Sequence, residues 1–267
     1  MQHLFLIVRP LAFIGQTVIA AVVELGRVAV FLGQSLAMIF VHRQQVAKIL
    51  QQIYFIGSKS VFVVSLTGAF TGMVLGLQGY YVLAMYGSTG SLGSMVALSL
   101  IREMGPVLTA IMVTARAGSA MAAEIGIMRI SEQIDALDTM DIHPIRFLVS
   151  PRVAAALISF PLLTALCDVI GILGGYLTGS VLLGVNPALY FFRVESSVVM
   201  RDVSGGLIKS VVFALIVTTI CCYQGYFTHL RAGGFGAKGV GQATTSAVVI
   251  SCVLILLFDY VLTSLLL

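Results

Sequence analysis

Five long apolar segments dominate the chain, and each is long enough to cross a lipid bilayer. A helix of about 20 predominantly apolar residues spans the hydrocarbon core of a membrane. The predicted spans are Val61–Tyr86, Met95–Ile127, Val153–Leu183, Gly205–Phe227 and Thr244–Leu267. We therefore predict an all-α integral membrane protein with five transmembrane helices, several of them long enough to tilt or to extend into the headgroup region.

The apolar stretch from Leu11 to Val41 has a different pattern. Its strongly polar residues are Gln16, Glu24, Arg27 and Gln34. At 100° per residue these side chains fall within an arc of about 80° on an otherwise apolar helix. This pattern is typical of a helix that lies in the membrane interface. We predict an interfacial N-terminal helix within residues 1–45, and a sixth crossing packed against the bundle is the alternative.

Small residues recur at every fourth position in three of the spans. The three sets are Gly68, Gly72 and Gly76; Gly118, Ala122 and Gly126; and Gly171, Gly175 and Gly179. Such stripes let helix backbones approach closely within a membrane. Packing within one chain and contact between subunits both remain possible for each stripe.

The composition agrees with a membrane protein and excludes other classes. Of the 267 residues, 59% are hydrophobic and 10% are charged, against roughly 45–50% and about 25% in soluble domains. The mean hydropathy is +1.05. A water-soluble globule, a disordered chain and a nucleic-acid-binding protein are therefore excluded. Because the spans and their connections use most of the chain, we predict a single domain over residues 1–267.

Lysine and arginine residues are distributed unequally between the two sides of the predicted membrane. Of 15 such residues, ten lie in the N-terminal segment and in the loops after the second and fourth spans. Two, Arg193 and Arg201, lie in the loop after the third span. Because Lys and Arg collect in cytoplasmic loops, we expect a cytoplasmic N-terminus and a C-terminus in the opposite compartment.

Ionisable residues within the spans are candidates for function, because burying a charge in lipid is costly. They are Arg102, Glu103, Arg116, Glu124, Asp168, Lys209 and Asp259. All except Arg116 and Glu124 are expected in one layer towards the non-cytoplasmic face. One interpretation is mutual neutralisation, in which Lys209 pairs with Asp168 or Asp259 and Arg102 pairs with a nearby carboxylate. The other is that Arg102 and Glu103 border a cavity for a zwitterionic or anionic lipid headgroup.

The loop of residues 129–152, between the second and third spans, contains a short amphipathic helix. Two sets of residues recur at every third position: acidic Glu132, Asp135, Asp138 and Asp141, and apolar Ile134, Leu137 and Met140. We predict that this helix continues until Pro144 ends it. It either lies solvated on the membrane surface or inserts its apolar row into the groove of a partner protein.

Motifs for catalysis are missing from the sequence. It contains no GxxxxGK[ST] phosphate loop and no HExxH, and its four histidines form no Ser/His/Asp constellation. We therefore expect no enzymatic activity, no catalytic residue, no metal site and no cofactor in this chain. If ATP drives transport, the nucleotide site belongs to another protein.

Three segments resemble the MlaE family of ABC transporter permeases. They are GMVLGLQGY (Gly72–Tyr80), the stretch from Leu100 to Leu137 that begins LIREMGPVLTA, and HPIRFLVSPR (His143–Arg152). The similarity extends to IKSVVFA (Ile208–Ala214) and to FDYVLT (Phe258–Thr263). The resemblance covers nearly the whole chain and is weakest in its first 45 residues.

This resemblance implies a set of partners and a transport activity. The family works as a homodimer with two copies of a cytoplasmic ABC ATPase that bind ATP and Mg. A STAS-domain subunit sits on the ATPase, and a periplasmic MCE-domain protein forms a hexameric ring. The family moves phospholipids between the inner and outer membranes and maintains outer-membrane lipid asymmetry. A multi-pass inner-membrane protein with a periplasmic C-terminus is thus expected.

The resemblance also assigns roles to particular residues. A cytoplasmic coupling helix that meets the ATPase is expected to contain Glu132, Gln133, Asp135, Leu137, Asp138 and Met140, with Asp138 in place of the more usual Glu. A lipid cavity is expected to be lined by Leu75, Gly79, Leu83, Tyr86, Arg102 and Glu103. Two rival functions remain: an ion-gradient-driven transporter of a lipid-like substrate that uses Asp168 and Asp259, and a passive membrane anchor for an MCE ring.

Overall fold

The computed structural model describes residues 19, 22–38, 46–230 and 236–266, and these residues form helices and short connections without a β-strand. The α-helices are α1 (22–38), α2 (Val46–Ile56), α3 (Val61–Met85), α4 (Leu92–Ser99), α5 (Gly105–Val113), α6 (Ser119–Ile130), α7 (Gln133–Thr139), α8 (Ser150–Tyr176), α9 (Pro187–Ser197), α10 (Met200–Tyr226) and α11 (Gly236–Leu266). The all-α prediction is confirmed.

Several α-helices join end to end into membrane spans. Within the described ranges, five continuous helical segments are long and apolar enough to cross a membrane: Val46–Met85, Thr89–Ile130, Ile145–Leu182, Met200–Tyr226 and Gly236–Leu266. The five predicted spans are confirmed, but each helical segment begins several residues earlier in the sequence than predicted. The largest error is in the first span, because α2 continues into α3 through one 3-10 turn at Ser58–Ser60 despite polar side chains such as Gln51 and Gln52.

Wider π-helical turns interrupt the second and third spans. Two of these turns, Leu100–Met104 and Ile145–Val149, are followed within two residues by Pro106 and Pro151. Proline has no backbone N–H and its ring crowds the carbonyl four residues earlier. A local widening accommodates that crowding without ending the helix. The second span therefore stays continuous across its charged residues.

Close contact between backbones joins the first span to the third. A Cβ atom added at Gly72 would meet the carbonyl group of Gly171, and one at Gly76 would meet Gly175. One at Gly68 would meet the backbone of Cys167. The stripes on α3 and α8 thus pack against each other within one chain, as expected where small residues replace a hydrophobic driving force.

Helix α1 lies across one end of the bundle, which we name the α7 end because α7 is also there. Phe31 is buried and its ring packs against Tyr223 and Phe227. Glu24 accepts a hydrogen bond of 2.9 Å from the hydroxyl of Tyr223, and the Ser35 carbonyl accepts one of 2.9 Å from Ser150. These partners lie at the α7 ends of α8 and α10. The position of α1 in the membrane interface stays a prediction, and Gln16 lies outside the described residues.

The glycine contact predicts an unequal pair of substitutions. Gly72→Ala should destabilise the fold by about 1–3 kcal/mol, because the added methyl group overlaps the Gly171 backbone and overpacking is destabilising. Gly241→Ala is the control, since nothing lies within 4 Å of a Cβ at that helical position. Thermal unfolding of the detergent-solubilised protein measures both. A melting temperature for Gly72→Ala equal to that of the control would contradict the predicted packing.

Candidate lipid cavity and coupling helix

Lys209 is the centre of a buried charge cluster that connects three spans. Its side chain is 3% exposed. The Nζ atom lies 2.7 Å from Oε2 of Glu103 and 3.0 Å from Oδ1 of Asp259. It also donates to the Thr263 hydroxyl at 2.7 Å and to the Arg102 carbonyl at 2.8 Å. One cation on α10 thereby holds the second span and α11 together.

The Arg102 carbonyl accepts a hydrogen bond from the Lys209 side chain, and the proline four residues later explains why. In a regular α-helix it would accept a hydrogen bond from the nitrogen of Pro106, which carries no hydrogen. An unpaired buried carbonyl costs free energy, and the Lys209 ammonium supplies the missing hydrogen bond. The π turn Leu100–Met104 and the Lys209 hydrogen bond therefore both compensate for the N–H that Pro106 lacks.

Arg102 connects the same π turn to the start of α10. Its Nε atom donates to Oδ1 of Asp202 at 2.9 Å. The other oxygen of Asp202 accepts the backbone N–H of Val199 at 3.2 Å, at the N-terminus of α10. The neighbouring Arg201 donates to the carbonyl of Leu266 at 2.9 Å. Arginine and aspartate side chains thus join three spans at the end of the bundle opposite the α7 end.

A cavity of about 190 Å³ opens between these groups. Its lining residues are Arg102, Glu103, Arg201, Asp202, Gly205, Gly206, Lys209, Thr263 and Leu266. Three of these residues carry a positive charge and two carry a carboxylate, so both signs face the same space. The space therefore offers both hydrogen-bond donors and acceptors, the combination that a zwitterionic group would require. We name this space the Arg102 cavity.

The expected lipid-cavity residues separate into two groups in this protomer. Arg102 and Glu103 line the Arg102 cavity, whereas Leu75 and Leu83 pack partly buried against Leu92, Val96 and their neighbours. Gly79 is buried, where a Cβ would meet Leu92 and Met95. Tyr86 is 80% exposed at the C-terminus of α3. One chain alone does not place the α3 residues in the Arg102 cavity, and their shared role stays a prediction.

Several residues that line the cavity were not predicted from the sequence. Arg201 and Asp202 lie at the start of α10, which is before the predicted start of the fourth span at Gly205. Gly205 and Gly206 have no side chain that would indicate a binding site. Thr263 follows Asp259 by four residues, one helical turn. That spacing is the signal that could have placed its hydroxyl beside Lys209.

Of the two carboxylates suggested as partners of Lys209, the structure shows Asp259, and Asp168 is not part of the charge cluster. Lys209 pairs with Glu103 and Asp259. Asp168 faces the second span, where a Cβ at Gly105 would meet its Oδ1 atom. That oxygen is buried without a hydrogen-bond partner in the described part of the chain.

The remaining two charges within the spans have structural partners. Arg116 donates to the Ser60 hydroxyl at 2.8 Å and to the carbonyls of Phe55 and Ile56. It thus satisfies carbonyls left open at the C-terminus of α2. Glu124 pairs with Arg152 at 2.7 Å and makes no ion pair with Arg116 among the described residues.

Helix α7 is shorter than predicted and partly packed on its own chain. It ends at Thr139, five residues before Pro144, and the non-glycine residues Glu132 and Asp141 beside it have left-handed φ angles of 58°. The turn at Glu132 precedes the helix, and the turn at Asp141 ends it before the proline does. Ile134 is fully buried, so the apolar row is not wholly available to a partner.

An ionic contact holds α7 against the second span. Arg129 pairs with Asp135 at 2.7 Å and donates through Nε to Nδ1 of His229 at 3.0 Å. Burial and the Arg129 charge lower the pKa of His229, so its neutral ring accepts this hydrogen bond at pH 7. Among the residues expected to form the coupling helix, Leu137 is half-buried, and the exposed ones are Glu132, Gln133, Asp135, Asp138 and Met140.

Comparison with known proteins decides the family. The sequence profile of the permease MlaE matches residues 49–265. The chain belongs to the MlaE permease family. It is 39% identical to the intermembrane phospholipid transport system permease protein MlaE of Haemophilus influenzae, over 97% of this chain and 98% of that protein. It is therefore an ABC transporter permease and a multi-pass membrane protein.

Two other relatives come from a second bacterium and from a plant. A probable ABC transporter permease protein of Rickettsia typhi is 46% identical over 82% of each chain. The chloroplastic protein TRIGALACTOSYLDIACYLGLYCEROL 1 of Arabidopsis thaliana is 39% identical over 80% of this chain and 60% of that protein. In each case the match covers at least 80% of the chain described here.

The charge cluster predicts that Lys209→Met destabilises the permease by about 1–3 kcal/mol, because the partly buried carboxylates of Glu103 and Asp259 would lose their cation. Adding Glu103→Gln and Asp259→Asn should restore part of the loss. Lys238→Met, on the exposed start of α11, is the control. Thermal unfolding in detergent measures all three, and a Lys209→Met protein as stable as the control would show that the cluster is not needed for the fold.

Proposed function

We propose that this permease is the membrane subunit of an ATP-driven transporter that moves phospholipids between the inner and outer membranes and so maintains outer-membrane lipid asymmetry. The Arg102 cavity is the observation that supports this most directly. It combines guanidinium, ammonium and carboxylate groups at one end of apolar spans, the chemistry that a phospholipid headgroup requires. The Haemophilus relative's name, which specifies intermembrane phospholipid transport, points the same way.

In the proposed assembly two copies of this chain form a homodimer in the inner membrane. The α7 ends face the cytoplasm, with the N-terminus, and the Arg102 cavities face the periplasm, with the C-terminus. Each α7 docks on a cytoplasmic ABC ATPase, which binds ATP and Mg and carries the STAS-domain subunit. A periplasmic MCE-domain hexamer receives lipid from the cavities or delivers lipid to them. Leu75, Gly79, Leu83 and Tyr86 complete the lipid path in the dimer.

Movement of α7 would reach the spans through contacts already present in one chain. Glu132, Asp138 and Met140 are free to meet the ATPase, whereas Asp135 binds Arg129 at the end of α6. Arg129 in turn contacts His229, next to the end of α10. Because α6 and α10 belong to the spans that carry Arg102 and Lys209, closure of the ATPase dimer would change the width of the cavity.

The cavity assignment predicts a loss of transport without a loss of assembly. Arg102→Met should lower ATP-dependent lipid transfer about tenfold, because a charge-assisted contact to the headgroup phosphate is worth about 1.5–3 kcal/mol. Arg193→Met, exposed on α9, is the control. The measurement is lipid transfer from liposomes that contain the reconstituted ATPase complex.

The same liposomes separate the rival functions. Transfer that requires an ion gradient in place of ATP would contradict the proposal and favour a secondary transporter. Absence of transfer from a correctly assembled wild-type complex would favour a passive anchor. Equal transfer by Arg102→Met and Arg193→Met would remove the Arg102 cavity from the lipid path.

The docking assignment predicts that charge reversal on α7 releases the ATPase. Glu132→Arg together with Asp138→Arg should abolish co-purification in detergent, because two exposed carboxylates become cations at the proposed contact. Glu195→Arg, exposed on α9 at the opposite end, is the matched control. Undiminished co-purification of the α7 variant would contradict the coupling role.

A further inference from the structure

A second polar cavity lies at the α7 end, outside the transport path described above. Its volume is about 290 Å³, and it opens between α2, α6 and the start of the third span. The residues that matter chemically are Lys48, Gln52, Glu124, Phe147 and Arg152. Glu124 lies 21 residues after Glu103, which is about 31 Å of helix. The Lys48 cavity, as we name it, is thus a separate site about one hydrocarbon thickness away from the Arg102 cavity.

Arg152 brings an unused hydrogen-bond donor to this cavity. Its side chain is 4% exposed. One terminal nitrogen donates to the Leu148 carbonyl at 2.9 Å, and the other donates to Glu124 at 2.7 Å. The Nε atom is buried and has no partner among the described residues. A buried guanidinium N–H is normally paired, so this atom requires an acceptor from outside the described chain.

Lys48 and Gln52 provide two further groups without a polar partner. The Lys48 ammonium lies 3.0 Å from the centroid of the Phe147 ring, and no carboxylate of the described residues forms an ion pair with it. The Oε1 atom of Gln52, one turn further along α2, is buried and accepts no hydrogen bond in the described part of the chain. The cavity therefore offers two donors that carry positive charge and one neutral acceptor, beside the partly exposed carboxylate of Glu124.

We infer that the Lys48 cavity binds the phosphoethanolamine headgroup of a membrane phospholipid. The phosphate oxygens accept from Nζ of Lys48 and from Nε of Arg152. The ammonium group donates to Oε1 of Gln52 and to the carboxylate of Glu124. This ligand supplies an acceptor for each unused donor and a donor for the unused acceptor, which is what buried polar groups require.

Two related ligands fit less well. A phosphocholine headgroup has the same phosphate, but its quaternary ammonium has no N–H and leaves Gln52 unpaired. A free phosphate dianion has one O–H group that can donate to Gln52, but it brings no cation for the carboxylate of Glu124. The location agrees with a lipid source, since the cavity lies at the ends of spans, where one leaflet places its headgroups.

Site-specific photo-crosslinking tests this inference without the ATPase. A benzoylphenylalanine replaces Gln51, an exposed residue of the cavity rim, in full-length permease in nanodiscs of phosphatidylethanolamine and phosphatidylcholine. The readout is the ratio of the two crosslinked lipids divided by their ratio in the bilayer. We expect an enrichment of phosphatidylethanolamine of about tenfold, the effect of one charge-assisted hydrogen bond.

The variants separate the site from the surrounding bilayer. Lys48→Met and, independently, Gln52→Leu should reduce the enrichment to about one. Lys59→Met should preserve it, because that lysine lies near the rings of Tyr54 and Phe55 outside the cavity. Suppression of the crosslink by soluble glycerophosphoethanolamine would support recognition of the headgroup alone, and persistence of the crosslink would support recognition of the whole lipid. Crosslinks that follow the bulk composition in the unsubstituted protein, or an enrichment unchanged by both variants, would overturn the inference.

Discussion

A single buried lysine carries the constraint on which the rest of the charged end of the bundle depends. Burial of the Lys209 ammonium costs desolvation free energy. Ion pairs with Glu103 and Asp259, and hydrogen bonds to Thr263 and to the Arg102 carbonyl, offset this cost. That carbonyl is left open because Pro106 follows four residues later. The proline, the π turn and the lysine therefore form one unit, and this unit places Arg102 and Glu103 at the rim of a cavity.

The two ends of the molecule use charge in different ways. At the Arg102 cavity, carboxylates and cations from three spans face a common space. At the α7 end, ion pairs connect helices: Arg129 binds Asp135, and Arg152 binds Glu124. Between the two ends the packing depends on α3 against α8, where Gly72 and Gly171 bring two backbones into contact. In the proposed mechanism, a displacement of α7 reaches the far end through this close packing.

The membrane architecture was predictable because it depends on local properties of the sequence. Apolar length located all five spans, and the periodic pattern of residues such as Glu24 and Arg27 predicted the helix α1. The start of the first span was missed, because the uninterrupted apolar run begins only at Val61, whereas the helical segment begins at Val46 and includes the polar residues Gln51 and Gln52. Apolar periodicity predicted α7, yet its end depends on a left-handed turn at Asp141 that no pattern of hydrophobic residues reveals.

The composition of the site was only partly predictable, because pairing is a property of three-dimensional packing. Depth along a helix grouped Asp168 with Lys209, but the rotation of α8 turns Asp168 towards Gly105. Depth along the helix likewise could not show that Arg201 and Asp202 border the cavity.

A density map of the permease in nanodiscs of phospholipid tests the central claim most directly. We predict headgroup density between Arg102, Arg201 and Glu103; a well-resolved cavity without lipid density, with headgroups found only around the outer surface of the spans, would contradict it.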